Sequence, residues 1–243
     1  LGDRIEIAAV PGFIKKPSAS SRLTIDDVLA AEERNDEDGT PGVLRVDFVD
    51  VQQGDGAVLE TPGGQVVLID GGDNQLFARY LAARFGGTML EEPQPIAAIV
   101  VTHGDADHFE GLTRIHTSET HRERAKRLFI QPERIFHNGL VKRPSSRPAR
   151  ELLGPTAEGA DGRVLLVGLE EDLREVDDDE LNRPFQSWKR AVLAWSEREA
   201  LEMRRLEHGM DGHFGFLAEE GVEVRVLGPL TVRHDEQPAL PFL

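Results

Sequence analysis

The feature that most constrains this chain is a change of character between Ile96 and Gly111. Residues Ile96-Ala97-Ala98-Ile99-Val100-Val101 are apolar and largely β-branched, the composition of a buried strand. The next seven are Thr102-His103-Gly104-Asp105-Ala106-Asp107-His108, so two imidazoles and two carboxylates fall within six residues just past the strand's end. A buried strand is a stiff platform, and the loop leaving it is where reactive groups are held in place. Imidazole nitrogen and carboxylate oxygen are ligands that divalent ions such as zinc or manganese accept. His103 and Asp105 alternate along an extended segment, and Asp107 and His108 follow at the turn. Two offset ligand groups of this kind can serve two neighbouring ions.

Cysteine sharpens that reading by its absence. With no Cys in 243 residues, disulfides and thiolate metal sites are excluded, and any metal must be held by His and carboxylates. The lack of Cys also fits a cytoplasmic protein. No run approaches the roughly 18 apolar residues of a membrane span, so no membrane partner is expected. The net charge of −16 argues against nucleic-acid binding by the whole surface. Residues 114 to 150 run the other way, with ten Lys/Arg against three acids. Such a run is commonly a solvated face; the functional alternative is a rim facing the phosphates of a nucleic acid or other phosphodiester. A protein partner is compatible with the sequence but not identified by it.

The motif resembles the His-x-His-x-Asp-His signature of the metallo-β-lactamase-fold hydrolases, with Asp105 where the signature has its second His. The Asp form is similar to the branch containing the soluble domain of ComEC-type competence proteins. Val49-Asp50-Val51-Gln52-Gln53-Gly54-Asp55-Gly56-Ala57 and Leu68-Ile69-Asp70-Gly71-Gly72 extend the likeness, and Leu227-Gly228-Pro229 is a weaker match. The resemblance implies an α/β fold, the metallo-β-lactamase-like αββα sandwich, over residues 43–243. It implies two divalent ions, zinc or manganese, and a hydrolytic activity. His103, Asp105 and a later His, for which His137 is the candidate, would hold one ion. Asp107 and His108 would hold the other, with Asp107 also orienting the attacking water. Asp70 would support a metal-bound His from behind, and Asp55 lies on the same rim. The family also supplies a bridging Asp and a final His from its second half; neither has a match here, so that half reads as incomplete.

Three functions are compatible with these residues. The leading expectation is a phosphodiesterase or nuclease, because the motif is ComEC-like and a basic segment follows it. An acyl or ester hydrolase, acting on a thioester, lactone or lactam, is the enzyme alternative. A catalytically degenerate, metal-stabilised interaction module is the alternative without catalysis.

Periodicity supplies the rest. Residues 1–42 read as an extension. They hold a short apolar piece from Ile5 to Val10, a helix from Thr24 through Arg34, and an acidic linker from Asn35 to Gly42. Leu44 to Val51, Ala57 to Leu59 and Gln65 to Ile69 read as a meander of strands. Leu76, Phe77, Tyr80, Leu81 and Phe85 mark a helix ended by Gly86-Gly87. Further helices are expected over Leu112–Leu128 and from Pro184 to Glu207. Strands are expected over Pro132–His137, Val164–Leu169 and Val222–Val226.

Overall fold

The computed structural model describes residues 6–8 and 43–242. The helix and acidic linker expected before residue 43 lie outside the described residues. The backbone of β1 (Glu6–Ala8) runs parallel to β2 (Arg45–Phe48) at one edge of the main sheet. β3 (Gly56–Glu60) and β4 (Val66–Asp70) complete an antiparallel meander. β6 (Ala98–Val100) then lies parallel to β4, β8 (Arg134–His137) parallel to β6, and β11 (Glu202–Arg205) parallel to β8. The seven strands have the order β1-β2-β3-β4-β6-β8-β11. Beside this sheet, β5 (Gln94–Ile96) pairs with β7 (Ile130–Pro132). A four-stranded sheet is built from β9 (Thr156–Glu158), β10 (Val164–Leu166), β12 (Val232–His234) and β13 (Gln237–Pro241).

Side chains alternate across a strand, and here they divide two cores. Val66, Leu68, Ile99 and Ile135 face the helices α1 (Leu76–Arg84), α2 (Ala106–Ser118) and α3 (Arg183–Ser196). There they meet Phe77, Leu81, Phe109, Leu112, Ile115, Trp188, Val192 and Trp195. Val67, Ala98 and Phe136 face the other way, against Leu206, Phe214 and Leu217. Trp188 and Trp195 are both fully packed, which answers the aromatic spacing of α3 with core rather than with a binding surface.

Three expected elements change. α2 begins at Ala106, inside the motif, and stops at Ser118. Its interior Gly111 is required by packing, since a Cβ there would stand 1.7 Å from the Gly71 carbonyl oxygen. Thr117, Ser118 and Thr120 turn their hydroxyls back onto carbonyls of the last turns, a competition that favours helix ends. α3 is capped by the Asn182 side chain on the Phe185 N–H and ends at Ser196. The sequence beyond it joins β8 as β11, where the free edge of the sheet outweighs helix propensity. Finally, Val222, Val224 and Val226 alternate in burial without a ladder; the Val226 N–H donates to Asp211 Oδ1 and its carbonyl accepts from Gly209. Residues Asp211–Glu220 form tight 3-10 turns over the second core.

Candidate metal centre

The motif loop leaves β6 and is held against the end of β4 by a single carboxylate. Asp70 is 1% exposed and has φ +54°, a left-handed backbone that a non-glycine residue adopts at a cost. Its Oδ1 accepts from the Thr102 N–H (2.8 Å) and its Oδ2 from the Thr102 hydroxyl (2.6 Å). The same Oδ2 lies 2.9 Å from His108 Nδ1.

With Asp70 ionised, these contacts assign the proton positions. An ionised carboxylate only accepts, so the Thr102 hydroxyl must give its proton to Asp70. That hydroxyl can then only accept from His103 Nδ1, which lies 3.1 Å away. His108 Nδ1 must likewise donate to Asp70. Both imidazoles are thereby held with the proton on Nδ1, leaving the two Nε2 lone pairs free. The rings lie against each other, with centroids 3.7 Å apart.

Asp105 opens α2 in extended conformation, at the position where an Asp side chain would normally cap the helix, yet it makes no capping bond. Its Oδ1 takes the Lys142 ammonium at 2.7 Å, and its Oδ2 lies 3.8 Å from His103 Nε2. The hydrogen bond from Lys142 holds the Asp105 carboxyl below its usual range. Asp107 sits in the first turn of α2, where the helix dipole favours its negative charge. The loop carrying Asp55 closes over it. Gly54, at φ +82°, comes so near that a Cβ would lie 1.6 Å from the Asp107 carbonyl oxygen. Asp55 Oδ2 is 4.0 Å from His108 Nδ1.

Asp55, Asp70 and His108 offer ligand atoms that all lie within 4.8 Å of one another. His103 stacks on this group and Asp105 flanks it. The donors are oxygen and nitrogen throughout, and two imidazole nitrogens are free, so the chemistry of the set fits a divalent cation.

His137 is not brought into this group. Its Nδ1 accepts from the Gly139 N–H (3.1 Å), so the ring proton is on Nε2, which faces the Glu171 carbonyl at 3.2 Å. Both nitrogens are occupied, and burial pushes its pKa down to about 4. Thr102 and Lys142 are the two residues that motif reasoning did not single out. Thr102 gave one signal, a hydroxyl directly between the strand and the first His. Lys142 gave none beyond membership of the basic segment.

That segment is largely neutralised. Lys126 pairs with Glu123, Arg134 with Glu133, Arg143 with Glu170, Arg147 with Glu180, and Lys142 with Asp105. No helix among the described residues is long and apolar enough to cross a membrane.

Neither curated proteins nor solved structures yield a match to the chain. The model of the metallo-beta-lactamase superfamily matches residues 49–171, just over half of the sequence, and this span holds Asp55, Asp70, the whole motif and Lys142. With that match and this donor set, the chain belongs to the metallo-beta-lactamase superfamily, whose members are usually metal-dependent hydrolases.

Proposed function

We propose that this protein is a metal-dependent phosphodiesterase of the ComEC-like branch, with nucleic acid as its substrate class. His103, Asp105, Asp107 and His108 would hold two divalent ions, zinc or manganese, with Asp55 at the rim. A bound divalent ion in such a site lowers the pKa of water toward neutrality and polarises a phosphoryl oxygen. Asp70 holds both imidazoles by their Nδ1 protons, directly and through Thr102. Asp107 orients the attacking water and accepts its proton as the new P–O bond forms. The leaving oxygen takes a proton from solvent.

The observation that carries the phosphodiester reading over an acyl substrate is Lys142. Its ammonium is fixed 2.7 Å from Asp105 and remains about one-third exposed. With Asp105 engaged by a bound ion, the Lys142 ammonium would be left as a cation at the edge of the site, which suits an anionic substrate and has no comparable use for a neutral lactone or lactam. Two carboxylates beside two imidazoles, with Asp55 at the rim, suit manganese as well as zinc.

The test is metal analysis joined to substrate comparison. Purified protein is expected to carry about two ions per chain. It is expected to hydrolyse bis(p-nitrophenyl) phosphate and DNA in manganese, with little action on p-nitrophenyl acetate, a thioester or a lactam. Chelation should abolish activity and lower the unfolding midpoint. Turnover of acyl substrates alone would contradict the phosphodiester reading. Absence of metal, with stability unchanged by chelation, would overturn the metal centre itself.

A further inference from the structure

We propose that the cavity between α1 and α2 binds a phosphate of the nucleic-acid strand a few nucleotides from the scissile bond. The cavity holds about 360 Å³ and is lined by Asp73, Arg79, Arg114, Ser118, His121 and Lys126, among others. This inference rests on the phosphodiesterase reading and adds to it a second point of attachment.

Most cations of the basic segment face an acid at contact distance. The guanidiniums of Arg79 and Arg114 have no ion pair and donate no hydrogen bond among the described residues. The exposed Arg122, Arg124 and Arg183 also lack an ion pair among those residues; the cavity differs in that one of its unpaired arginines, Arg79, is half-buried. Its guanidinium nevertheless has no acid at contact distance. Two acids lie nearby, and neither forms an ion pair with Arg79 or Arg114. Asp73 Oδ1 accepts from Asn74 Nδ2, and Glu123 is held by Lys126 at 2.8 Å, with Arg79 acting on it only from a distance. In a protein of net charge −16, two guanidiniums without contact partners lining one concave pocket are a recognition feature for a forked anion.

Position connects the cavity to the metal centre. Asp107 and Arg114 lie seven residues apart on α2, two turns along one face, which is about 10 Å. Between them Gly111 donates its N–H to the Gly72 carbonyl, and the Gly72 N–H donates to the Asp55 carbonyl. The loop that begins at Asp70 therefore ends at Asp73 and Asn74 in the cavity wall. A stacked strand rises about 3.4 Å per nucleotide, so about 10 Å corresponds to roughly three nucleotides, and fewer in an extended strand. The site and the cavity can hold one strand at two phosphates.

Binding is read with a fluorescein-labelled 12-nucleotide single-stranded DNA and the Asp107→Asn protein in manganese, so that the strand is not cut. Adding Arg79→Glu and Arg114→Glu should weaken binding at least tenfold. It should also flatten the slope of log K against log salt by about 0.7, the value for one lost phosphate contact on a single strand. Reversing Arg163 and Arg204 instead, exposed residues paired with Asp161 and Glu202, should change binding less than twofold. Equal loss in both double variants, or no loss in the first, overturns the proposal. Unfolding midpoints confirm that the variants are folded. A separate arm follows bis(p-nitrophenyl) phosphate with Asp107 intact. This reporter is too small to reach the cavity, so Arg79→Glu/Arg114→Glu should hydrolyse it like the parent. If the parent cannot hydrolyse it, the phosphodiesterase reading fails, and the binding comparison still decides the cavity.

Discussion

Two buried aspartates on the same sheet show how differently a carboxylate can be used. Asp47, on β2, is fully buried and meets the Arg84 guanidinium and the Tyr80 hydroxyl; Arg84 also pairs with Glu60. Asp70, on β4, is as deeply buried, but its partners are a backbone N–H, a hydroxyl and an imidazole, with no fixed cation. Asp47 is neutralised where it stands, so its surroundings complete a structure. Asp70 passes its charge through hydrogen-bonded protons to two rings whose other nitrogens are left free. Its strained φ and the tight glycine contacts around it are the local cost of that arrangement.

The contrast can be broken from either side. The largest effect is expected at Asp107, where Asp107→Asn should lower hydrolysis by about 10²- to 10⁴-fold. Its unfolding midpoint should barely move. Asp47→Ala should do the reverse. It leaves Arg84 buried with a reduced set of partners, at a cost approaching the roughly 3–5 kcal/mol seen when one member of a buried pair is removed. Activity per folded molecule should be retained. If Asp47→Ala removes activity without destabilising the protein, the division between the two aspartates is wrong.

Thr102→Val tests the relay at smaller scale. It removes the hydroxyl between Asp70 and His103 while keeping the backbone donor, and should weaken metal affinity or activity by about 10- to 100-fold. Retention of full metal affinity would mean that His103 is oriented by something else.

The smallest effect is a pH dependence at His137. Its pKa lies near 4 in the folded protein against 6.5 in the unfolded chain. Between those values the unfolded state binds the extra proton, so stability falls as pH drops below 6.5, by at most about 1.4 kcal/mol per unit. His137→Gln should flatten this slope and leave metal content unchanged. A loss of one ion instead would return His137 to the ligand set. Asp105 contributes with the same sign at lower pH. Its depressed pKa means that the pair with Lys142 persists above the ordinary carboxylate range and is lost only as pH falls through the lowered value.

The half of the molecule that carries the motif was legible because its signals are local. The run Ile96–Val101 names its own strand, and the motif that follows carries its ligands within a few residues. The three-stranded meander before it reads from alternation and turn residues. The helix boundaries were less legible, since they depend on contacts made elsewhere. Gly111 reads as the residue before a helix and is instead inside α2, at the point where it meets the Gly71 carbonyl. The segment after Ser196 continues a helical pattern but is drawn into the sheet beside β8. His137 leaves its strand as His103 does, yet its nitrogens are claimed by Glu171 and Gly139, partners that no spacing rule exposes. Lys142 is hidden for the same reason: its meaning lies in Asp105, 37 positions away in sequence.

The central claim is that Asp70 sets the protonation of both His103 and His108, and nitrogen-15 NMR of the imidazoles tests it most directly. In the metal-free protein both rings should show the proton on Nδ1 and an unprotonated Nε2. Addition of zinc should move the two Nε2 resonances, and Asp70→Asn should scramble the tautomers. Rings protonated on Nε2 in the parent protein, or Nε2 resonances indifferent to zinc, would contradict it.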